Sequence, residues 1–348
     1  MAATKFSPQM YLKNLLKKLT FIILLTDICA CNQNAKKPIA PLMPDSLSVN
    51  QAIKEISKQI EAKPDIAELY YQRAQIYYNE KYLGFADADL NYALYLDSTN
   101  ALYWFMLARV NYAMNQTKNA AKYYENAIKY KPDYNEAKLK LADLYFLVKE
   151  YQKSIALLHE VRKTDNQNAY VYHMLGMNYR ELGDTLRAIN YFQTAIENDP
   201  TDYESTLYIA NLYAAQLKNI ALEYYKAAIK IKPYNTDAFF SRAVFYQKIK
   251  QYKAALLDYK IVIDRDPQNF LCYYNVGYIN FETDKLDEAL RNFNIATRMN
   301  PDFTEAYYMK GLIYEMQKKR SDAILNYEYA LKISPDYTLA KEGLKRLR

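Results

Sequence analysis

The amino-acid sequence predicts an all-α fold, an α-solenoid built from repeated helix-turn-helix hairpins. Three observations lead there. A small residue recurs about every 34 positions, at Ala74, Ala108, Ala142, Gly176, Ala210, Ala243, Gly277 and Gly311. Every proline after Pro44 (Pro64, Pro132, Pro200, Pro233, Pro267, Pro301 and Pro335) falls at one phase of that period, where a residue without an N–H stops a helix at little cost. Glycine is scarce at 6 residues while apolar residues make up 51%, so the chain can bury a large core and does not read as disordered.

In chain order, residues 1–20 carry four lysines, and a short apolar stretch over 19–30, interrupted by Thr26 and Asp27, runs up to Cys31. That stretch is about half the ~20 residues a spanning helix needs, and a basic segment before a short apolar core reads as a secretory signal. A start at Met10 would give the same signal with a shorter basic region. Ile28, Cys29, Ala30 and Cys31 resemble a bacterial lipobox, which implies cleavage before Cys31 and its lipidation. More than one acyl chain is required for stable anchoring. Residues 31–45 hold Pro38, Pro41 and Pro44 and form an extended tether reaching at most about 45–50 Å. Residues 46–66 read as the second helix of a hairpin that lacks its first.

Residues 67–337 then divide into eight repeats: 67–100, 101–134, 135–168, 169–202, 203–235, 236–269, 270–303 and 304–337. In the fourth, helices are expected over 169–182 and 185–198, with Gly183 suited to a left-handed helix end. Facing the small residue are a second small column (Ala86 to Ala323) and a large one: Leu90, Tyr124, Leu158, Phe192, Tyr225, Tyr259, Phe293 and Tyr327. Alternating sizes interdigitate. The fifth copy is one residue short, and the loss falls most simply near residues 217–219. Arg73, Arg242 and Lys310 replace an expected leucine, and their charges are expected to snorkel outward. Asn111 and Asn280 replace a tyrosine, which either rotates the helix or turns Tyr112 and Phe281 toward a groove. Residues 338–348 form a basic capping helix whose Leu339, Leu344 and Leu347 cover the last hairpin.

Tyr172, Leu175, Gly176, Tyr179, Ala188, Phe192, Ala195 and Pro200 together resemble the tetratricopeptide repeat in register. The resemblance implies a right-handed superhelix whose first helices line a concave groove.

Several function classes are excluded at this level. Of the formal charge of +7, residues 1–30 contribute +3 (Lys5, Lys13, Lys17 and Lys18 against Asp27), and no basic stripe for nucleic acid remains. There is no Gly-rich phosphate loop, HExxH, Cys/His metal cluster or nucleophile elbow, so neither a catalytic site, a metal, a cofactor nor a small-molecule substrate is expected. His159, His173 and Cys272 read as packing or surface residues.

Binding is the better-supported class. One exposed column of the first helices reads Tyr71, Phe105, Leu139, His173, Leu207, Phe240, Tyr274 and Tyr308. A second, two turns on, holds Tyr78, Tyr112, Phe146 and Phe281. Leu102, Tyr170 and Leu271 stand where the resemblance implies glutamate. Two apolar patches, 102–112 and 271–281 with Tyr278 inside the latter, are the candidate partner sites. The lipobox and repeats together resemble bacterial tetratricopeptide lipoproteins, implying an envelope scaffold for outer-membrane, secretion or cell-wall machinery, anchored at the outer membrane and facing the periplasm. The alternative is a soluble cytosolic adaptor with an uncleaved N-terminus. Acyl-probe labelling lost in Cys31→Ala separates them.

Overall fold

The computed structural model describes residues 51–347, so the signal, Cys31 and the tether lie outside the described residues. Within them every regular element is a helix. α1 (Gln51–Ala62) precedes eight hairpins: α2/α3 (Ala67–Asn79, Leu83–Leu96), α4/α5 (Ala101–Ala113, Thr117–Tyr130), α6/α7 (Asn135–Leu147, Tyr151–Thr164) and α8/α9 (Ala169–Glu181, Thr185–Asn198), followed by α10/α11 (Tyr203–Ala215, Ala221–Ile231), α12/α13 (Asp237–Lys248, Tyr252–Arg265), α14/α15 (Phe270–Glu282, Leu286–Met299) and α16/α17 (Thr304–Met316, Arg320–Ile333). α18 (Thr338–Leu347) closes the array. Each helix packs on its hairpin partner and on the next hairpin, the one-dimensional contact pattern of a solenoid.

The turn inside each hairpin bends the same way because one residue adopts a left-handed backbone. Only one of these residues is glycine: Gly183 has φ 77°, and Lys81, Asn115, Lys149, Leu217, Lys250, Asp284 and Lys318 occupy the same slot with φ between 55° and 66°. Packing of the hairpin therefore overrides the steric cost of about 1–2 kcal/mol that a side chain meets there. The fifth repeat takes up its missing residue after Leu217. Its second helix starts three register positions late, at Ala221, and i→i+3 bonds (Leu222 N–H to Asn219 O, 3.0 Å; Glu223 N–H to Ile220 O, 3.1 Å) replace the first turn.

The core lies between the two helices of each hairpin. Gly176, Gly277 and Gly311 sit so close to Phe192, Phe293 and Tyr327 that a Cβ would stand 2.6–2.9 Å from the ring. The last residue of each repeat takes one of two roles. Asn100, Asn168, Asp202, Asn235 and Asn269 accept a backbone N–H at the start of the following helix. Tyr134, Phe303 and Tyr337 instead pack, tilted or edge-on, against Phe105, Tyr274 and Tyr308 at 4.9–5.7 Å between ring centres.

Two expectations are corrected here. Arg73 does not snorkel: it is 2% exposed, and its Nε and Nη2 donate to both oxygens of buried Asp89 at 2.7 and 2.6 Å. Burial alone would lower its pKa, but those bonds outweigh burial and keep the guanidinium charged. Arg242 makes the same fork to Asp258, again 16 residues on, at 2.8 and 2.9 Å. An acid one helix away satisfies these charges inside the hairpin, so they need no water. Lys310, in the third such slot, is half-buried over Tyr307 at 5.1 Å, and burial lowers its pKa. At the C-terminus Leu344 is buried, but Leu339 is 46% exposed, and Arg346, itself exposed, forks onto Glu315 at 2.8 Å.

Cys272 is fully buried among Ala243, Val262 and Ile279, and burial pushes its thiol up to about 12. The thiolate is the reactive form. Cys272 should therefore resist alkylation in the native protein and react fully in guanidinium, as read by peptide mapping.

Candidate protein-binding groove

Successive first helices touch one another (α2 with α4, α6 with α8, α10 with α12, α12 with α14), which puts them on the inner side of the stack. Positions 2, 5, 6, 9, 12 and 13 of each repeat fall on one side of its first helix and share its inner face. Between α10 and α12 that face opens into a pocket of about 200 Å³, lined by Asn211, Ala214, Ala215, Phe240, Ser241 and Lys248 among others. A second pocket of about 150 Å³ is lined by Tyr112, Tyr124, Lys140, Asp143 and Leu144.

The residues read as candidates from the sequence fall into two groups. Leu102, Tyr112, Tyr170 and Leu271 are exposed, at 45%, 49%, 44% and 39%. Tyr71, His173, Phe240, Tyr274, Tyr278, Phe281 and Tyr308 are half-buried, and Phe105 is buried at 6% exposure. The first aromatic column is therefore not an exposed stripe, as expected, but a seam. Phe105 is wedged between Tyr124 and Tyr134, Tyr274 between Phe293 and Phe303, and Tyr71 lies 5.1 Å from Tyr103. These contacts take up much of each ring's surface. The second column keeps more of its surface, and Tyr112 is turned outward because buried Asn111 bonds inward to Asp87 at 2.8 Å.

Polar groups close the groove floor. The Tyr170 hydroxyl donates to Asp143 at 2.6 Å, and burial raises the Asp143 carboxyl. His173 Nδ1 lies 2.8 Å from Ser205 Oγ and 3.6 Å from Asp202. Burial pushes Asp202 upward, yet His173 and the Ser205 hydroxyl and N–H outweigh it and hold the carboxyl at about 2, below its ordinary 3.8. Stability contributed by Asp202 is thus complete above about pH 4 and disappears as the pH falls through 2. Asp202→Ala should cost about 1 kcal/mol at neutral pH, as for a lost helix cap, and clearly less at pH 2, where the carboxyl is half protonated. Matched urea melts at the two pH values check this.

The pocket at Ala214 and Ala215 was not singled out from the sequence. Its signal was present, because two alanines end a first helix where Tyr112 and Phe146 stand in other repeats. Among the described residues no group of three or more His, Cys, Asp or Glu is placed to hold a metal, and no helix is long and apolar enough to cross a membrane.

Comparison with known proteins agrees with this architecture. Two family descriptions match: "Cytochrome c-type biogenesis protein H TPR domain" over residues 87–205 and "Tetratricopeptide repeat" over residues 277–338. The chain is a tetratricopeptide-repeat protein. Serine/threonine-protein phosphatase 5 of Rattus norvegicus is 31% identical over 107 residues, 30% of this tetratricopeptide chain and 21% of that protein. The Mus musculus protein matches over the same shares, so this chain spans about a fifth of the length of these curated relatives. Among solved structures, a tetratricopeptide repeat protein from Parabacteroides merdae ATCC 43184 aligns with a TM-score of 0.54 at 16% identity, over 71% of this chain and 98% of its own. That likeness shows the shared α-solenoid. The MamA protein aligns over 50% of this chain and 95% of its own, at 22% identity and a TM-score of 0.45.

Proposed function

We propose that this chain is a non-enzymatic scaffold that binds peptides or helices of partner proteins in its groove while tethered to a bacterial membrane through lipidated Cys31. One observation carries the binding reading. Leu102, Tyr112, Tyr170 and Leu271 are large side chains on the inner face that keep 39–49% of their surface in water, while neighbouring rings are absorbed by packing. Tetratricopeptide-repeat proteins bind other proteins or peptides, and half-exposed aromatic and leucine side chains beside pockets are the groups that anchor such contacts. The lipobox-like run ending at Cys31 supports the anchor, and with it envelope partners in assembly, secretion or cell-wall machinery and a periplasm-facing location.

Photo-crosslinkers placed at Tyr112 and Leu271 should capture a partner in cells, whereas crosslinkers at the exposed second-helix positions Leu186 and Leu257 should not. Capture only at Leu186 or Leu257 sinks the groove reading. An acyl probe that labels Cys31→Ala as well as the parent chain sinks the anchor.

A further inference from the structure

We propose that the groove selects a cationic segment, a stretch of a partner protein bearing Lys or Arg between apolar residues. The inference rests on the groove reading above and names the partner's chemistry. It comes from acids at the start of the first helices that no base pairs with among the described residues.

Five of the eight repeats carry an acid at their second position, in the first turn of the first helix: Glu68, Glu136, Glu204, Asp237 and Glu305. First-turn acids favour the helix dipole, which accounts for carboxylates at that position. It does not account for the shortage of bases around them. Of the bases on the first helices, Arg73 and Arg242 are forked onto acids of their own second helices, and buried Lys138 pairs with Glu160 of α7. The inner face keeps Arg109, Lys140, Arg180 and Lys248, and three of these are engaged. The Arg109 guanidinium lies 4.9 Å from the Tyr78 ring centre, Arg180 bonds Glu181 at 2.6 Å over the Tyr208 ring, and Lys140 approaches Asp143 at 4.0 Å. Glu136, Asp237 and Glu305 make no ion pair among the described residues.

Two second helices are rich in bases. α5 has Lys118, Lys122 and Lys129 against Glu125, and α7 has Lys153, Arg162 and Lys163 against Glu160. The inner face of the first helices thus keeps acids with no ion-pair partner among the described residues. The unpaired acids also stand beside the aromatic seam: Glu136 is within electrostatic reach of Tyr71 and Tyr134, and Glu305 of Tyr274 and Tyr337. A carboxylate next to half-buried rings suits an ammonium or guanidinium carried on an aliphatic stem. Arg109 on Tyr78 and Arg180 on Tyr208 already show the groove's own rings receiving that group. Complementary potential gives selectivity and faster association.

The test titrates the full chain with a labelled peptide built from Lys, Leu, Tyr and Gly, and with its counterpart carrying Glu in place of each Lys. The Lys peptide should bind, and the Glu peptide should not. The triple variant Glu136→Gln/Asp237→Asn/Glu305→Gln, which alters only exposed acids, should weaken the Lys peptide about tenfold, as expected for three exposed ion pairs. Added salt should do the same. Tyr112→Ala/Leu271→Ala should weaken it independently of salt. Tighter or equal binding of the Glu peptide, or no binding of either, overturns the proposal. So does a Lys peptide that is sensitive to the aromatic pair but not to the triple variant, an outcome that leaves the groove reading standing. Indifference to both variants removes binding from the groove and overturns both readings.

Discussion

Asp89→Ala should destabilise the first hairpin by about 3–5 kcal/mol, the cost of leaving a buried charge unpaired. Arg73 is the charge left behind, with its Nη1 still donating to Ser57 at 3.1 Å but its fork on Asp89 lost. The damage belongs to the missing partner and not to the missing attraction, so replacing both residues should restore stability. The other repeats supply the replacement. The slot of Arg73 is Leu107, Leu141 and Leu175 elsewhere, and the slot of Asp89 is Tyr123, Leu157 and Tyr191. Arg73→Leu/Asp89→Leu should therefore lie within about 1 kcal/mol of the parent, since a well-packed apolar pair replaces an ion pair at little net cost. Hydrogen exchange across α2 and α3 is the suitable measurement, because a repeat array can open locally. If the single and double variants lose equal protection, Asp89 acts through packing and the ion-pair account fails.

Phe192→Ala should cost about 3–5 kcal/mol, the usual loss for an aromatic ring in a packed core. The ring is fully buried, lies against Gly176, stacks on Tyr208 of the next repeat at 5.2 Å and meets the edge of His173 at 5.8 Å. Its removal weakens one hairpin and also the junction between α9 and α10. Since stability in such arrays is a sum of repeat and interface terms, the melt should separate into two transitions, one for each side of the fourth repeat. The neighbour offers a second check. Gly176→Ala sets a methyl 2.6 Å from the ring and should cost about 1–3 kcal/mol by overpacking. In a Phe192→Leu background the same methyl should be accommodated, as Ala142 is beside Leu158. The two changes should therefore be non-additive by at least about 1 kcal/mol. Strict additivity would mean that the glycine is not required by the ring.

How much of this was legible beforehand differs by residue. The helix limits followed closely, because prolines and small residues mark backbone constraints that act locally. The left-handed turn was legible at Gly183 but not at Leu217 or Lys250, where the hairpin imposes a conformation those residues do not prefer. For the groove, Leu102, Tyr112, Tyr170 and Leu271 are as exposed as the pattern implied, whereas Phe105 is not. Periodicity says which residues share a face of one helix. It says nothing of a ring arriving from the next repeat, such as Tyr103 on Tyr71 or Tyr208 on Phe192.

The sequence by itself determined the class of fold, the repeat length, the hairpin pairing and the small-against-large core, because each depends on residues a fixed number of positions apart along one helix or one hairpin. Only the tertiary structure decided which aromatics stitch repeats together and which face water, and that the unpaired carboxylates gather on the inner face. Those outcomes depend on helices that meet across a seam, and distance across a seam is set by packing and not by spacing along the chain.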